Sequence, residues 1–267
     1  MQELAEKYLR RNSLPFIFCP GCGDGQILNA TIRAIDSLGI KDKIACTSGI
    51  GCSGWIPVYL DLDVMHTVHG RAIPVAEGLK LSAPEKDIIV FTGDGDCIGI
   101  GGNHFIHAAR RNIDLTVVMV NNYIYGMTGG QKAPTTPLKA KTKTSPYGNE
   151  ERPFDGVQLA IASGATYVAR WSTYHIQQLE NSIKKALLHE GFSFIEVLSQ
   201  CPVQAGRNIF KEKDPWKMMQ IFKNNTVLKG KEKKGDQSKI VIGEFVNKEE
   251  KEYSQYLADI RREINEN

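Results

Sequence analysis

The chain has 267 residues, with 33 lysines and arginines against 30 aspartates and glutamates, a formal net charge of +3, and 42% hydrophobic side chains. That balance supports a packed core, which excludes global disorder and a chain specialised for polyanions such as nucleic acid. Its longest apolar runs, Ile88 to Thr92 and Leu115 to Val120, fall far short of the roughly 18 residues needed to cross a membrane. Glu3, Glu6, Lys7, Arg10 and Arg11 stand where a secretory signal needs unbroken apolar residues, so a cytoplasmic location is expected.

Length allows one or two domains. Apolar Ile27, Ala30, Ala34, Ile35 and Leu38 recur at helical spacing, so a helix is predicted from Asp24 to Leu38, with Gly39 as its stop. A strand over Ile44 to Thr47, a helix over Ile73 to Leu81, a buried strand over Ile88 to Thr92, a helix over Ile100 to Arg111 and a strand over Leu115 to Val120 follow. Asn122 to Pro153, rich in glycine and proline, is too long for a plain connection and reads as a functional loop. Alternation resumes with a helix over Val157 to Ser163, a strand over Thr166 to Ala169, a helix over Thr173 to His189 and a strand over Phe194 to Leu198. Lys229 to Lys239 reads as a solvated linker before a polar helix over Lys248 to Glu263. Alternating strands and helices predict an α/β fold, a parallel sheet with helices on both faces and function at the carboxyl ends of the strands.

Two turns carry chemistry at those ends. Gly93-Asp94-Gly95-Asp96 follows one predicted strand and Asn121-Asn122 follows the next, with 30 positions from Gly93 to Asn122 inclusive. That spacing fits adjacent parallel strands joined by one crossover helix, which sets the turns side by side. The Asp94 carboxylate and the Asn122 amide oxygen suit a hard divalent cation, and the glycines allow close approach of a diphosphate. Either turn alone is an ordinary polar turn; the pairing matches the thiamine diphosphate motif. Of the six cysteines, Cys19 and Cys22 form a CxxC pair, which in a reducing compartment reads as a metal or redox site.

Five motifs then occur in order: Cys19-Pro20-Gly21-Cys22-Gly23; Gly49-Ile50-Gly51-Cys52-Ser53-Gly54; His66 to Arg71; Gly93 to Asp96; and Asn121-Asn122 through Tyr125-Gly126-Met127-Thr128-Gly129-Gly130-Gln131 to Pro134-Thr135. Together they resemble the beta subunit of 2-oxoacid:ferredoxin oxidoreductases, most closely the 2-oxoglutarate type, over about residues 15–210. The resemblance implies a thiamine diphosphate-binding domain over 1–210 that also houses a [4Fe–4S] cluster, followed by a charged C-terminal extension, 211–267. It assigns the cluster to Cys19, Cys22, Cys52 and Cys201, and Mg²⁺ to Asp94, Asn122 and the Ile124 carbonyl. It lines the cofactor with Ile50, Gly51, Cys52, Ser53, His69, Gly93, Gly95, Asp96, Gly126 and Met127. The residues by themselves leave Zn²⁺, which also accepts four cysteines, and Cys46 as third ligand open.

By the same resemblance, the glutamate that activates the cofactor belongs to a pyrimidine-binding domain on an alpha subunit, without which this chain is inactive. The reaction would join the acyl part of a 2-oxoacid to coenzyme A, release CO₂ and reduce ferredoxin, reversibly. Some relatives place a lysine at the position of Gly129 or near Trp55 to face a substrate carboxylate. This sequence has neither, which keeps pyruvate and branched-chain 2-oxoacids beside 2-oxoglutarate. A non-catalytic cysteine–metal redox protein and a cluster-free thiamine decarboxylase are the competing classes. His104 and His107 read as ordinary helix positions, Cys46 and Cys97 as small apolar packing groups.

Overall fold

A computed structural model of the chain describes residues 2–266. The strands, in chain order, are β1 (Ile44–Ser48), β2 (Asp63–His66), β3 (Asp87–Gly93), β4 (Leu115–Asn121), β5 (Ile124–Tyr125), β6 (Gln131–Lys132), β7 (Tyr167–Ser172), β8 (Phe192–Leu198), β9 (Thr226–Leu228) and β10 (Ile240–Asn247). The helices are α1 (Gln2–Tyr8), α2 (Gly23–Leu38), α3 (Ala72–Ser82), α4 (Gly102–Arg111), α5 (Gly156–Ala162), α6 (Ile176–Leu188), α7 (Pro215–Asn224) and α8 (Tyr253–Glu266). Among the described residues one eight-stranded sheet runs β2-β1-β3-β4-β8-β7-β10-β9. From β2 to β7 every pairing is parallel, and β10 joins β7 antiparallel. β5 and β6 form a separate two-residue ladder inside the long loop.

Successive strand residues point to opposite faces, and both faces are covered. Ile89 and Phe91 of β3 join Ile27 and Ile35 of α2 and Leu179 and Ile183 of α6 in one core. Ile88 and Val90 pack on the other side with Ile73 of α3, Phe105 of α4 and Val157 of α5. Because both faces are buried, the central strands read as unbroken apolar runs. Cys46 lies buried in β1, and Cys97 packs in the second core behind the diphosphate turn.

Differences from the sequence expectation concentrate at edges and ends. α1, β2, β5, β6, α7, β9 and β10 were not predicted. β2 is a four-residue edge strand with three exposed residues, so it shows no alternation. The crossover begins earlier than Ile100: the chain winds from Gly95 to Ile100 as a π-helical turn before α4. α6 begins at Ile176 rather than Thr173, because Ser172 completes β7 and the Thr173 N–H donates to the Leu198 carbonyl at 3.0 Å. The charged segment 231–239 links β9 to β10 and is mostly exposed.

Candidate functional site

β1, β3 and β4 lie side by side, with Gly93 opposite Val120. Their carboxyl ends therefore open into one cavity. It is lined by residues 50–53 after β1, by His69, by residues 93–96 after β3, and by Asn122 and residues 124–128 after β4. Every residue the resemblance assigned to the cofactor or to Mg²⁺ stands on this lining. Tyr125 and Thr128, which those assignments omitted, stand there too.

Glycines are required at the turns for room. A Cβ at Gly49 would overlap the Asp96 carboxylate, and one at Gly95 would overlap the Tyr125 ring. The Tyr125 hydroxyl donates to the Gly95 carbonyl at 3.1 Å, locking the β4 loop to the β3 turn.

The two aspartates of the turn differ in their surroundings. Asp96 is surrounded by donors: Gly70 N–H at 2.7 Å, Thr92 Oγ1 at 2.6 Å and Ile50 N–H at 3.3 Å. His69 Nδ1–H donates to the same carboxylate at 2.5 Å. That bond engages Nδ1 and leaves Nε2 as the free ring nitrogen of a cavity-lining histidine. Asp94 is buried and accepts from the Thr135 hydroxyl and the Gly95 N–H, with no basic side chain among its hydrogen-bond partners. Desolvation pushes its carboxyl up to about 7. Asn122 Oδ1 accepts from the Ile124 N–H at 3.1 Å, holding the Asn122 and Ile124 oxygens in one tight turn.

The cysteines gather on the adjoining side. Gln200, next to Cys201 at the end of β8, donates through Nε2 to the Gly21 carbonyl at 3.1 Å, and its own carbonyl accepts from the Gly23 N–H at 3.1 Å. These bonds lace the β8 end to the CxxC turn. Gly126 brings in the third strand: a Cβ there would stand 3.6 Å from Cys201 Sγ and 3.7 Å from Cys52 Sγ. Burial pushes the Cys52 thiol up to about 12, with Asp24, Cys201 and Cys19 adding to the shift. Burial likewise raises Cys201 and, well above its usual range, Cys22. All six cysteines are free thiols. Among the described residues no group of three His, Cys, Asp or Glu side chains is drawn together closely enough to hold a metal ion.

Arg71 Nη1 donates to the adjacent Gly70 carbonyl at 3.2 Å, and the side chain is not on the cavity lining. His104 and His107 lie on α4 away from that lining.

Residues 49–197 match the family described as thiamine pyrophosphate enzyme, C-terminal TPP binding domain. Fold and cavity thus define a thiamine diphosphate-binding enzyme domain. The KorB subunit of 2-oxoglutarate synthase from Methanothermobacter thermautotrophicus is 51% identical over 259 residues, 95% of this chain and 90% of that one. Its counterpart from Methanocaldococcus jannaschii is 52% identical over 95% of each chain. The solved 2-oxoglutarate:ferredoxin oxidoreductase from Magnetococcus marinus, with 2-oxoglutarate, coenzyme A and succinyl-CoA bound, matches with a TM-score of 0.89 at 34% identity, covering 98% of this chain and 90% of that one. The chain belongs to the beta-subunit family of the 2-oxoacid:ferredoxin oxidoreductases.

Proposed function

We propose that this chain, with an alpha subunit carrying the pyrimidine-binding domain, converts 2-oxoglutarate and coenzyme A to succinyl-CoA and CO₂. Two ferredoxins each take one electron, one proton is released, and the reaction runs in either direction. The names of the relatives and the ligands of the Magnetococcus marinus enzyme support this substrate; pyruvate and branched-chain 2-oxoacids are the alternatives.

The observation that carries the reading is the buried Asp94 carboxylate at the meeting of the β3 and β4 turns, on the cavity lining with Asn122 and Ile124, where desolvation raises it to about 7. A divalent cation there reverses that penalty. Asp94, Asn122 Oδ1 and the Ile124 carbonyl are the oxygen donors that would hold Mg²⁺ on a diphosphate. Cys19, Cys22, Cys52 and Cys201 are the donors that would hold a [4Fe–4S] cluster, since thiols that burial keeps protonated become favourable as thiolates once metal binds them. Bound here, thiamine diphosphate would supply the carbanion that adds to the keto carbon and hold the electron pair freed as CO₂ leaves, and the cluster would pass that pair on singly. Asp96 orients His69 so that Nε2 meets the cofactor, and the Tyr125 bond to Gly95 holds the loop that excludes water.

No helix among the described residues is long and apolar enough to cross a membrane. Six unpaired thiols support a cytoplasmic setting.

The test is ferredoxin reduction by the anaerobically copurified alpha and beta subunits. Reduction that requires both a 2-oxoacid and coenzyme A is expected. Decarboxylation without ferredoxin reduction would overturn the reading in favour of a cluster-free decarboxylase.

A further inference from the structure

Of the four cysteines assigned to the cluster, Cys19 alone is exposed; Cys22 and Cys52 are half-buried and Cys201 is buried. Electron transfer slows steeply with distance, so a carrier must dock on the Cys19 side. The segment after Cys201 lies against that side. The Gly206 N–H donates to the Cys201 carbonyl at 2.8 Å and the Glu212 N–H to the Gly206 carbonyl at 3.0 Å, which folds residues 206–212 back onto the Cys201 turn. α7 begins directly on the CxxC turn: a Cβ at Gly21, whose φ is +76°, would overlap the Pro215 ring, and Gln26 Nε2 lies 3.4 Å from Met219 Sδ.

This segment holds both charge and an aromatic ring in solvent. Residues 207–223 contain five basic side chains, Arg207, Lys211, Lys213, Lys217 and Lys223, against Glu212 and Asp214, a net +3 that equals the whole chain's. All five basic residues are exposed. The two acids serve the backbone: Glu212 Oε1 accepts from the Lys213 and Asp214 N–H groups at 2.9 Å, and Asp214 caps α7 by accepting from the Lys217 N–H at 3.0 Å. Lys217 Nζ also lies 3.9 Å from Glu212. Trp216, next to the proline that rests on the CxxC turn, is 62% exposed. Tryptophan is among the residues that most often anchor protein interfaces.

The alpha subunit has a different face to meet. The cavity lining contains no lysine or arginine, and its Ile50 and Met127 are exposed apolar side chains. A pyrimidine-binding domain must close over that lining to reach the cofactor, whereas the basic segment lies beside the CxxC turn.

We propose that Trp216 and the basic side chains of 207–223, Lys213 and Lys217 foremost, form the docking surface for ferredoxin, which meets it with an acidic face. The inference rests on the function proposed above and names where its electron carrier binds. Each docking event transfers one electron from the reduced cluster to one oxidised ferredoxin, with no bond or proton moved, so two successive dockings serve one 2-oxoacid. The lysines steer an acidic carrier from a distance, and the indole fixes its position beside Cys19.

Oxidised ferredoxin of strongly negative net charge is titrated by calorimetry into the anaerobically purified complex of alpha and beta subunits, at low and at physiological ionic strength. Binding is expected to weaken as salt rises, because exposed charges are screened. Lys213→Glu/Lys217→Glu should weaken binding at low salt about tenfold and flatten its salt dependence. Trp216→Ala should weaken it about thirtyfold, the scale of an interface anchor. Lys231→Glu/Lys234→Glu, which removes the same total charge from the linker between β9 and β10, should stay within about twofold, since charges remote from the docked partner are screened. Each variant is expected to keep the iron and thiamine diphosphate content of the wild type. Unchanged affinity in both patch variants, or an equal loss in the linker variant, would overturn the docking surface while leaving the oxidoreductase reading intact. Loss of iron or of the alpha subunit from the patch variants would overturn it as well, since the face would then belong to the cluster fold or to that subunit. A wild-type complex that binds no ferredoxin removes the oxidoreductase reading and this inference with it.

Discussion

Asp94 and Glu196 are carboxylates on β3 and β8 ends of one sheet, 3% and 2% exposed, and the fold treats them in opposite ways. Glu196 accepts from Arg170 Nε at 2.7 Å and Asn121 Nδ2 at 2.6 Å. Arg170 also pairs with Asp155, which caps α5, and donates to the Val241 carbonyl of β10 at 3.3 Å. That charge is neutralised within the protein, and its network ties β4, β7, β8, β10 and the start of α5 together. Asp94 has a hydroxyl and a backbone N–H but no cation, and desolvation raises it accordingly. Glu196, with its own arginine, is a piece of architecture; Asp94, on the cavity lining without one, is the acid we propose holds a ligand. Cys46 and Cys52 repeat the contrast in thiols: burial pushes both up to about 12, yet only Cys52 has Cys201 and Cys19 for neighbours.

The contrast is broken most directly at Arg170. Replacing it with methionine strands Glu196 in the core and is expected to cost about 3 to 5 kcal/mol of stability by denaturant unfolding. Asp94→Ala is expected to leave the unfolding midpoint of the cofactor-free protein unchanged or raised, since it deletes an unpaired buried charge. The same change should weaken Mg²⁺-dependent thiamine diphosphate binding about a hundredfold in titration calorimetry, at or above the upper end of losses at groups that merely support metal ligands. If Asp94→Ala destabilises the protein as much as Arg170→Met while cofactor affinity holds, the two acids have been told apart wrongly.

The smallest effect sharpens the same rule with neutral groups. His175 sits beside the Ser172 hydroxyl at 2.7 Å and His189 beside that of Thr166 at 2.8 Å, and burial lowers both imidazoles. With folded values below the ordinary value of about 6.5, the unfolded chain takes up protons more readily. Their contribution is therefore present above about pH 6.5 and is lost as pH falls from there through the lower folded values. Thermal melts from neutral to mildly acidic pH should show Tm falling, and His189→Gln should flatten that slope. An unchanged slope would mean that other groups set it.

The central strands and both turns were legible because residues adjacent in sequence make them: an apolar run, then Gly93 to Asp96, then a second run and Asn121-Asn122. The partners that define the site were not, because they come from afar. Asp96 finds His69 from 27 positions away, Asp94 finds Thr135 from 41 away, and Glu196 finds Arg170 through the pairing of β7 with β8. At the C-terminal end, β9 and β10 were masked by the charged linker between them and by their half-exposed edge positions.

The central claim is that one chain carries both a diphosphate site and a four-cysteine cluster site. Its most direct test is the iron, acid-labile sulfide and thiamine diphosphate content of the anaerobically purified complex, with Cys46→Ser and Cys52→Ser in parallel. About four iron, four sulfide and one thiamine diphosphate per beta chain are expected in the wild type, as a Cys₄-held cubane requires. Cys46→Ser should keep them, and Cys52→Ser should lose iron and sulfide while retaining the folded chain. Zinc without thiamine, or iron lost from Cys46→Ser and kept in Cys52→Ser, would contradict the account.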